Sequence, residues 1–157
     1  MNNKSRLRAA GWRAACALVG VLAAADGAAQ EHAGFVKNIR GEVRLVDERQ
    51  AGRLAQPGDS MSALGSIETD ATSAASVVLR DGTVMVVGPS SRLELKHFHF
   101  DATTHEGGLL VNLLRGSLRM ITGLIGKANP DAVRIDTQTA TIGIRGTDFV
   151  VESDGPR

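Results

Sequence analysis

Cysteine and aromatic residues are nearly missing from this chain of 157 residues, which has one Cys, one Trp, no Tyr and four Phe. A lone cysteine excludes a disulfide framework, so packing and strand pairing must hold the fold. Scarce aromatics leave the core to Val, Ile and Leu. Charge of one sign is missing too, since 18 Lys and Arg face 17 Asp and Glu. The N-terminal segment, residues 1–29, takes four of the bases and one acid. That leaves 14 bases against 16 acids, a net of about −2. Nothing forms the basic groove or stripe of a nucleic-acid binder. Nucleophilic catalysis finds no support either. Ser90-Ser91 follows Gly88-Pro89 in a turn, without the strand–turn–helix elbow of a hydrolase, and the carboxylates are scattered. Gly107-Gly108 lacks the Lys-Ser/Thr of a phosphate loop. No cofactor is called for.

The first 29 residues read as an export signal. Lys4, Arg6, Arg8 and Arg13 make a basic start, and Ala14 to Ala25 is apolar but too short to span a bilayer. Small residues at Gly27-Ala28-Ala29 precede a cut ahead of Gln30. Cleavage there removes Cys16, the only cysteine, and lipidation of Cys16 is disfavoured because it precedes the hydrophobic stretch. The expectation is a mature domain, 30–157, that is periplasmic or secreted and is not inserted in a membrane after cleavage.

Beyond the signal the sequence is a succession of short strands punctuated by glycine. Gly34 to Val46 alternates, with Val43 and Leu45 on one side and Glu42 and Arg44 on the other. Gln56-Pro57-Gly58-Asp59 is a turn. Gly65 to Thr69 predicts a strand, and another begins at Ser73 to Ala75. Asp81-Gly82 between Val77–Arg80 and Thr83–Val87 predicts a hairpin. From Arg92 to Phe100 the apolar phase slips, with Leu93 and Leu95 odd but Phe98 and Phe100 even. One extra residue near Lys96 or His97, a bulge, restores a single buried face. Leu109–Leu114 and Leu118–Ile121 are predicted as two strands around Arg115-Gly116, Gly123 to Pro130 as a loop, and Val133–Ile144 and Thr147–Val151 as the final pair. The fold class is all-β, stacked or coiled, in the manner of a β-solenoid or a jelly roll.

A weak internal echo supports recurrent turns of sheet. Arg40-Gly41, Arg115-Gly116 and Arg145-Gly146 each precede an alternating strand, and Asp81-Gly82 is similar without the arginine. The richest stretch is Ile142-Gly143-Ile144-Arg145-Gly146-Thr147-Asp148-Phe149, where two glycines bracket a corner between apolar segments.

Taken in order, Gly41-Glu42-Val43, Pro57-Gly58-Asp59, Ile67-Glu68-Thr69-Asp70, Asp81-Gly82-Thr83, Gly88-Pro89-Ser90-Ser91, Leu114-Arg115-Gly116-Ser117-Leu118 and the closing Arg145-Gly146-Thr147 run resemble the FecR domain family. The resemblance covers Gly34 to Val151. It implies a non-enzymatic periplasmic module for protein interaction and sensing, tied to envelope signalling and ferric-siderophore uptake. This chain differs from full regulators, which carry a cytoplasmic anti-sigma segment and a membrane helix where it has a signal. Gln138 stands where proline is common. Family members usually continue through a further hairpin after Val151, so the expectation is a domain truncated at its C-terminus with one open edge.

Candidate chemistry is sparse. Arg145, with Gly146 and Thr147, offers a planar fork for a carboxylate or a siderophore-like anion; the favoured reading is that Arg145 bonds carbonyls and locks the corner. Gly41, Gly58, Asp59, Asp81, Gly82, Gly116 and Gly143 are read as structural. His97 and His99 lie two apart on one strand face and are weak metal candidates, with no fixed third or fourth ligand. The partner expected is another envelope protein, reached by strand-edge pairing. Two other readings stand beside the sensing module. One is a passive β-segment of a larger exported scaffold or adhesin, and the other is a polysaccharide-active enzyme on a β-helix or jelly roll.

Overall fold

The computed structural model describes residues 32–47 and 52–155. The expected signal at 1–29, with Cys16, lies outside the described residues. The strands are β1 (His32–Arg40), β2 (Val43–Val46), β3 (Gly52–Leu54), β4 (Ser60–Ser62), β5 (Ser66–Thr69), β6 (Ala74–Leu79), β7 (Val84–Val87), β8 (Arg92–Phe100), β9 (Gly107–Ile121), β10 (Val133–Thr137), β11 (Thr141–Gly143) and β12 (Asp148–Ser153). One short helix, α1 (Leu124–Ala128), and a 3-10 turn at Pro130–Ala132 lie between β9 and β10.

Hydrogen bonding arranges these strands into two arms of one curled sheet that share β9. The first arm runs β4–β1–β6–β7–β9–β12, and the second runs β3–β2–β5–β8–β9–β10–β11. Residues of β9 up to Arg115 pair with β8, and those from Gly116 onward pair with β12. Every pairing is antiparallel except β9 with β10. The strands therefore form a curled antiparallel sheet rather than the parallel coil of a solenoid.

Apolar phase explains where strands bend. In β8 the pairing skips Lys96, with Leu95 opposite Val111 and His97 opposite Leu110, which is the bulge that the sequence requires. Leu93, Leu95, Phe98 and Phe100 are consequently all buried. In β9 the buried positions are Leu109, Val111 and Leu113, then Leu118 and Met120. That change from odd to even falls at Gly116, so what the sequence divides into two strands is one strand with a kink. Conversely, the expected strand Gly34–Val46 breaks at Gly41, and Val133–Ile144 breaks into the β10–β11 hairpin around 138–140. The Asp81-Gly82 hairpin has a three-residue loop, with Gly82 N–H bonded to the Leu79 carbonyl at 2.9 Å and Leu79 N–H to the Thr83 carbonyl at 2.9 Å. That is the turn-plus-bulge connection rather than the two-residue form.

The inner faces of both arms close on one core of Val, Ile, Leu, Met and two Phe. Lacking disulfides among the described residues, the fold rests on this burial, at roughly 25 cal/mol per Å² of apolar surface removed from water. The helix α1 corrects the loop expected over Gly123–Pro130. Because β10 runs parallel to β9, the chain must return from the end of β9 to the level of Leu109 before pairing. The buried Ile125 side chain ties that return to the core.

Candidate functional site

Three Arg-Gly pairs recur in the sequence, and each stands where the chain passes from one arm to the other. Arg40-Gly41 joins β1 to β2, Arg115-Gly116 is the kink within β9, and Arg145-Gly146 joins β11 to β12. The first two are closed by a buried serine. The Glu42 N–H donates to Ser73 Oγ at 2.8 Å, and the Ser117 N–H donates to Ser91 Oγ at 3.0 Å. A Cβ placed on Gly41 would fall 3.0 Å from the Ser73 Cα, and one on Gly116 only 2.6 Å from the Ser91 Cα. Positive φ, +75° and +86°, adds to the demand for glycine at both. The Asp70 carbonyl accepts the N–H groups of Ser73 and of Ser90, the residue before Ser91, whose own N–H donates to Thr69 Oγ1.

The third pair is open. A Cβ on Gly143 or Gly146 would meet nothing within 4 Å. Arg145 is exposed and, among the described residues, has no hydrogen-bond or ion-pair partner. The expectation that Arg145 braces the corner through carbonyls is thus not met: no carbonyl accepts from its guanidinium among the described residues, and Arg40 and Arg115 at the sealed crossings are likewise exposed without a partner there. The Thr147 carbonyl, accepting from Thr122 N–H at 2.9 Å, and the buried Ile144 side chain fasten the corner. A shallow cavity of about 440 Å³ lies here, bounded by Ile142, Arg145, Phe149 and Val150 among others.

Beside the corner, β12 is held by β9 on one side. Arg119 clasps Asp148 across that pair with two bonds, Nε to Oδ1 at 2.9 Å and Nη2 to Oδ2 at 2.6 Å. This lowers the Asp148 carboxyl below its ordinary value and raises the arginine. The other side of β12 carries no strand among the described residues.

The outer surfaces of the two arms differ. On the second arm Arg92 bridges Glu68 and Glu94, and Lys96 bridges Glu94 at 2.6 Å. On the first arm the outward rows are apolar: Phe35, Val78, Val84 and Ile121 lie in one register row, and Val86 and Val150 lie either side of Arg119 in the next. Val150 is 60% exposed and Phe35 47%. Among them Ser76 Oγ is buried and has no hydrogen-bond partner.

The remaining sequence candidates fall elsewhere. Gly58 and Asp59 form the turn after β3; the Asp59 carboxylate accepts the Gln56 N–H at 2.7 Å and is also bound by Arg53, and both interactions lower its pKa. Asp81 has a role that the hairpin motif does not disclose. It is buried, its carboxylate accepts the N–H and hydroxyl of Thr83, and its carbonyl accepts the N–H of Leu124 at the start of α1. Gly82 closes that loop. His97 and His99 are both exposed on the outer face of β8. Among the described residues no group of three or more His, Cys, Asp or Glu is placed to hold a metal ion.

Comparison with known families gives one match over most of the strand-rich part, since residues 65–157 match the model of the FecR protein family. The chain belongs to the FecR family. FecR proteins are envelope-associated and act in signalling rather than catalysis. No curated protein matches this FecR chain. Among solved structures it is similar to a cell surface anchoring domain at 23% identity, over 41% of this chain and 84% of that one, with a TM-score of 0.39. That likeness is too slight to bear on function. No helix among the described residues is long and apolar enough to cross a membrane, which says nothing about β-barrels.

Proposed function

We propose that this FecR-family protein is a non-enzymatic interaction module, exported to the periplasm or beyond, that docks another envelope protein during signal sensing. One observation carries the reading. Two of the three arm crossings are sealed by serines, while the third leaves two uncrowded glycines and an unpaired strand edge side by side among the described residues, with Arg145 exposed next to them. A surface built only for stability has no need of that opening. Arg145 supplies a fork for a partner carboxylate, with Gly146 and Thr147 giving backbone access, and β12 supplies a row of main-chain donors and acceptors. Export rests on the signal pattern of residues 1–29. The link to ferric-siderophore uptake rests on the family resemblance alone.

A photo-crosslinking residue placed at Val150, and separately at Lys96, tests the docking surface in the intact envelope. Crosslinks from position 150 to one discrete protein, with none from 96, are expected. Equal crosslinking from both faces, or none at all, would remove the reading. N-terminal sequencing of the exported product should begin at Gln30, and a retained leader would contradict the assigned processing.

A further inference from the structure

The two arms end in four terminal strands, and three of them are guarded by their brevity. β3, β4 and β11 are each three residues long, whereas β12 has six. Natural sheets protect long edges with charged side chains, above all lysine, and with proline or bulges. β12, Asp148-Phe149-Val150-Val151-Glu152-Ser153, has no lysine, proline or bulge, its only charges are the acids Asp148 and Glu152, and its register with β9 is unbroken from Asp148 to Ser153. On its outer face Asp148 is held by Arg119, Val150 stands in water, and Glu152 is exposed. Among the described residues neither Glu152 nor the following Asp154 has a hydrogen-bond or ion-pair partner.

These features define an occupant. We infer that β12 accepts an extended segment of another envelope protein, added antiparallel, with a basic side chain opposite Glu152 and a β-branched apolar one opposite Val150. The inference rests on the docking function proposed above and gives that partner its chemistry. Opposite charges and apolar pairs directly across an antiparallel ladder are the favourable combinations. A second copy of this chain is disfavoured in the two registers of fullest overlap. Two β12 strands related by a two-fold axis at Val150 oppose Asp148 to Glu152, and moving the axis to Val151 opposes Asp148 to Asp154; like charges directly across are destabilising.

The test uses the whole exported protein, isotopically labelled, and two short peptides of alternating threonine. One carries lysine, valine and lysine at the remaining positions, and the other carries glutamate, valine and glutamate. Titration followed by NMR is expected to shift amides of β12 and its neighbour β9, with the lysine peptide binding roughly fivefold or more tightly. Glu152→Lys should invert the preference, and Val150→Lys should abolish binding of the lysine peptide while leaving the spectrum folded. Equal affinity for both peptides, shifts confined to the second arm, no binding, or dimerisation of the protein through β12 would each overturn the inference. Crosslinks from position 150 in the envelope would survive any of these outcomes, so the docking function is judged separately.

Discussion

At Gly116 an added Cβ would sit 2.6 Å from the Ser91 Cα, while at Gly146 it would meet nothing within 4 Å. Both glycines follow an arginine, both precede an alternating strand, and both lie where the chain changes arms. Their surroundings separate a joint from a landing place. Where a neighbouring strand needs the space, the bend is roofed by a serine whose hydroxyl takes the orphaned N–H. Where nothing needs the space, the backbone remains open.

Substitutions sharpen that contrast, and the largest effect is expected at Gly116. Gly116→Ala combines a backbone clash with a positive φ, and should cost about 3–5 kcal/mol in denaturant titrations. Gly41→Ala meets the same obstacles in milder form, with the Ser73 Cα 3.0 Å away, and should cost about 2–3 kcal/mol. Ser91→Ala leaves the Ser117 N–H without its acceptor inside a buried seam, worth about 1–3 kcal/mol by the same measurement. At the open corner, Gly146→Ala should cost about 1–2 kcal/mol for its φ of +146° alone, and Gly143→Ala less than about 0.5 kcal/mol. A loss at Gly143 as large as that at Gly41 would erase the distinction.

Acid gives the smallest effect and acts on the edge strand. The Asp148 carboxyl is depressed by its bonds to Arg119, so its contribution is complete above the ordinary carboxylate value and fades as pH falls through the depressed one. The clasp should open only as the pH falls through that depressed value, below the ordinary carboxylate range. Amide exchange of β12 should then accelerate relative to β6, measured after correction for intrinsic rates. Unchanged relative exchange down to pH 2 would show that the clasp does not hold the edge.

Much of the architecture was legible because apolar phase is a direct physical constraint. The bulge at Lys96 follows from Leu93, Leu95, Phe98 and Phe100 needing one face, and the all-β class follows from short β-branched runs between turn residues. The kink at Gly116 is written in the same phase change, but alternation on both sides of a glycine looks identical for one bent strand and for two. Five residues of α1 are too few to show a helical period, and their helix answers a topological need set by β10. The Arg-Gly echo disclosed that three places are alike. It could not disclose that Ser73 and Ser91 cover two of them, because those serines lie 31 and 26 residues from the N–H groups they satisfy. The open space around Gly143 and Gly146 depends on that same absent roof and was invisible for the same reason.

The fifteen residues of β9 belong to both halves of the sheet. Neither half can melt and leave the other with a complete ladder, since each would lose an interior member. Thermal or chemical unfolding should therefore be a single cooperative transition, with the slowest-exchanging amides of β6 and β8 opening at one common free energy. A sheet assembled this way loosens only at its margins, and its middle stays whole.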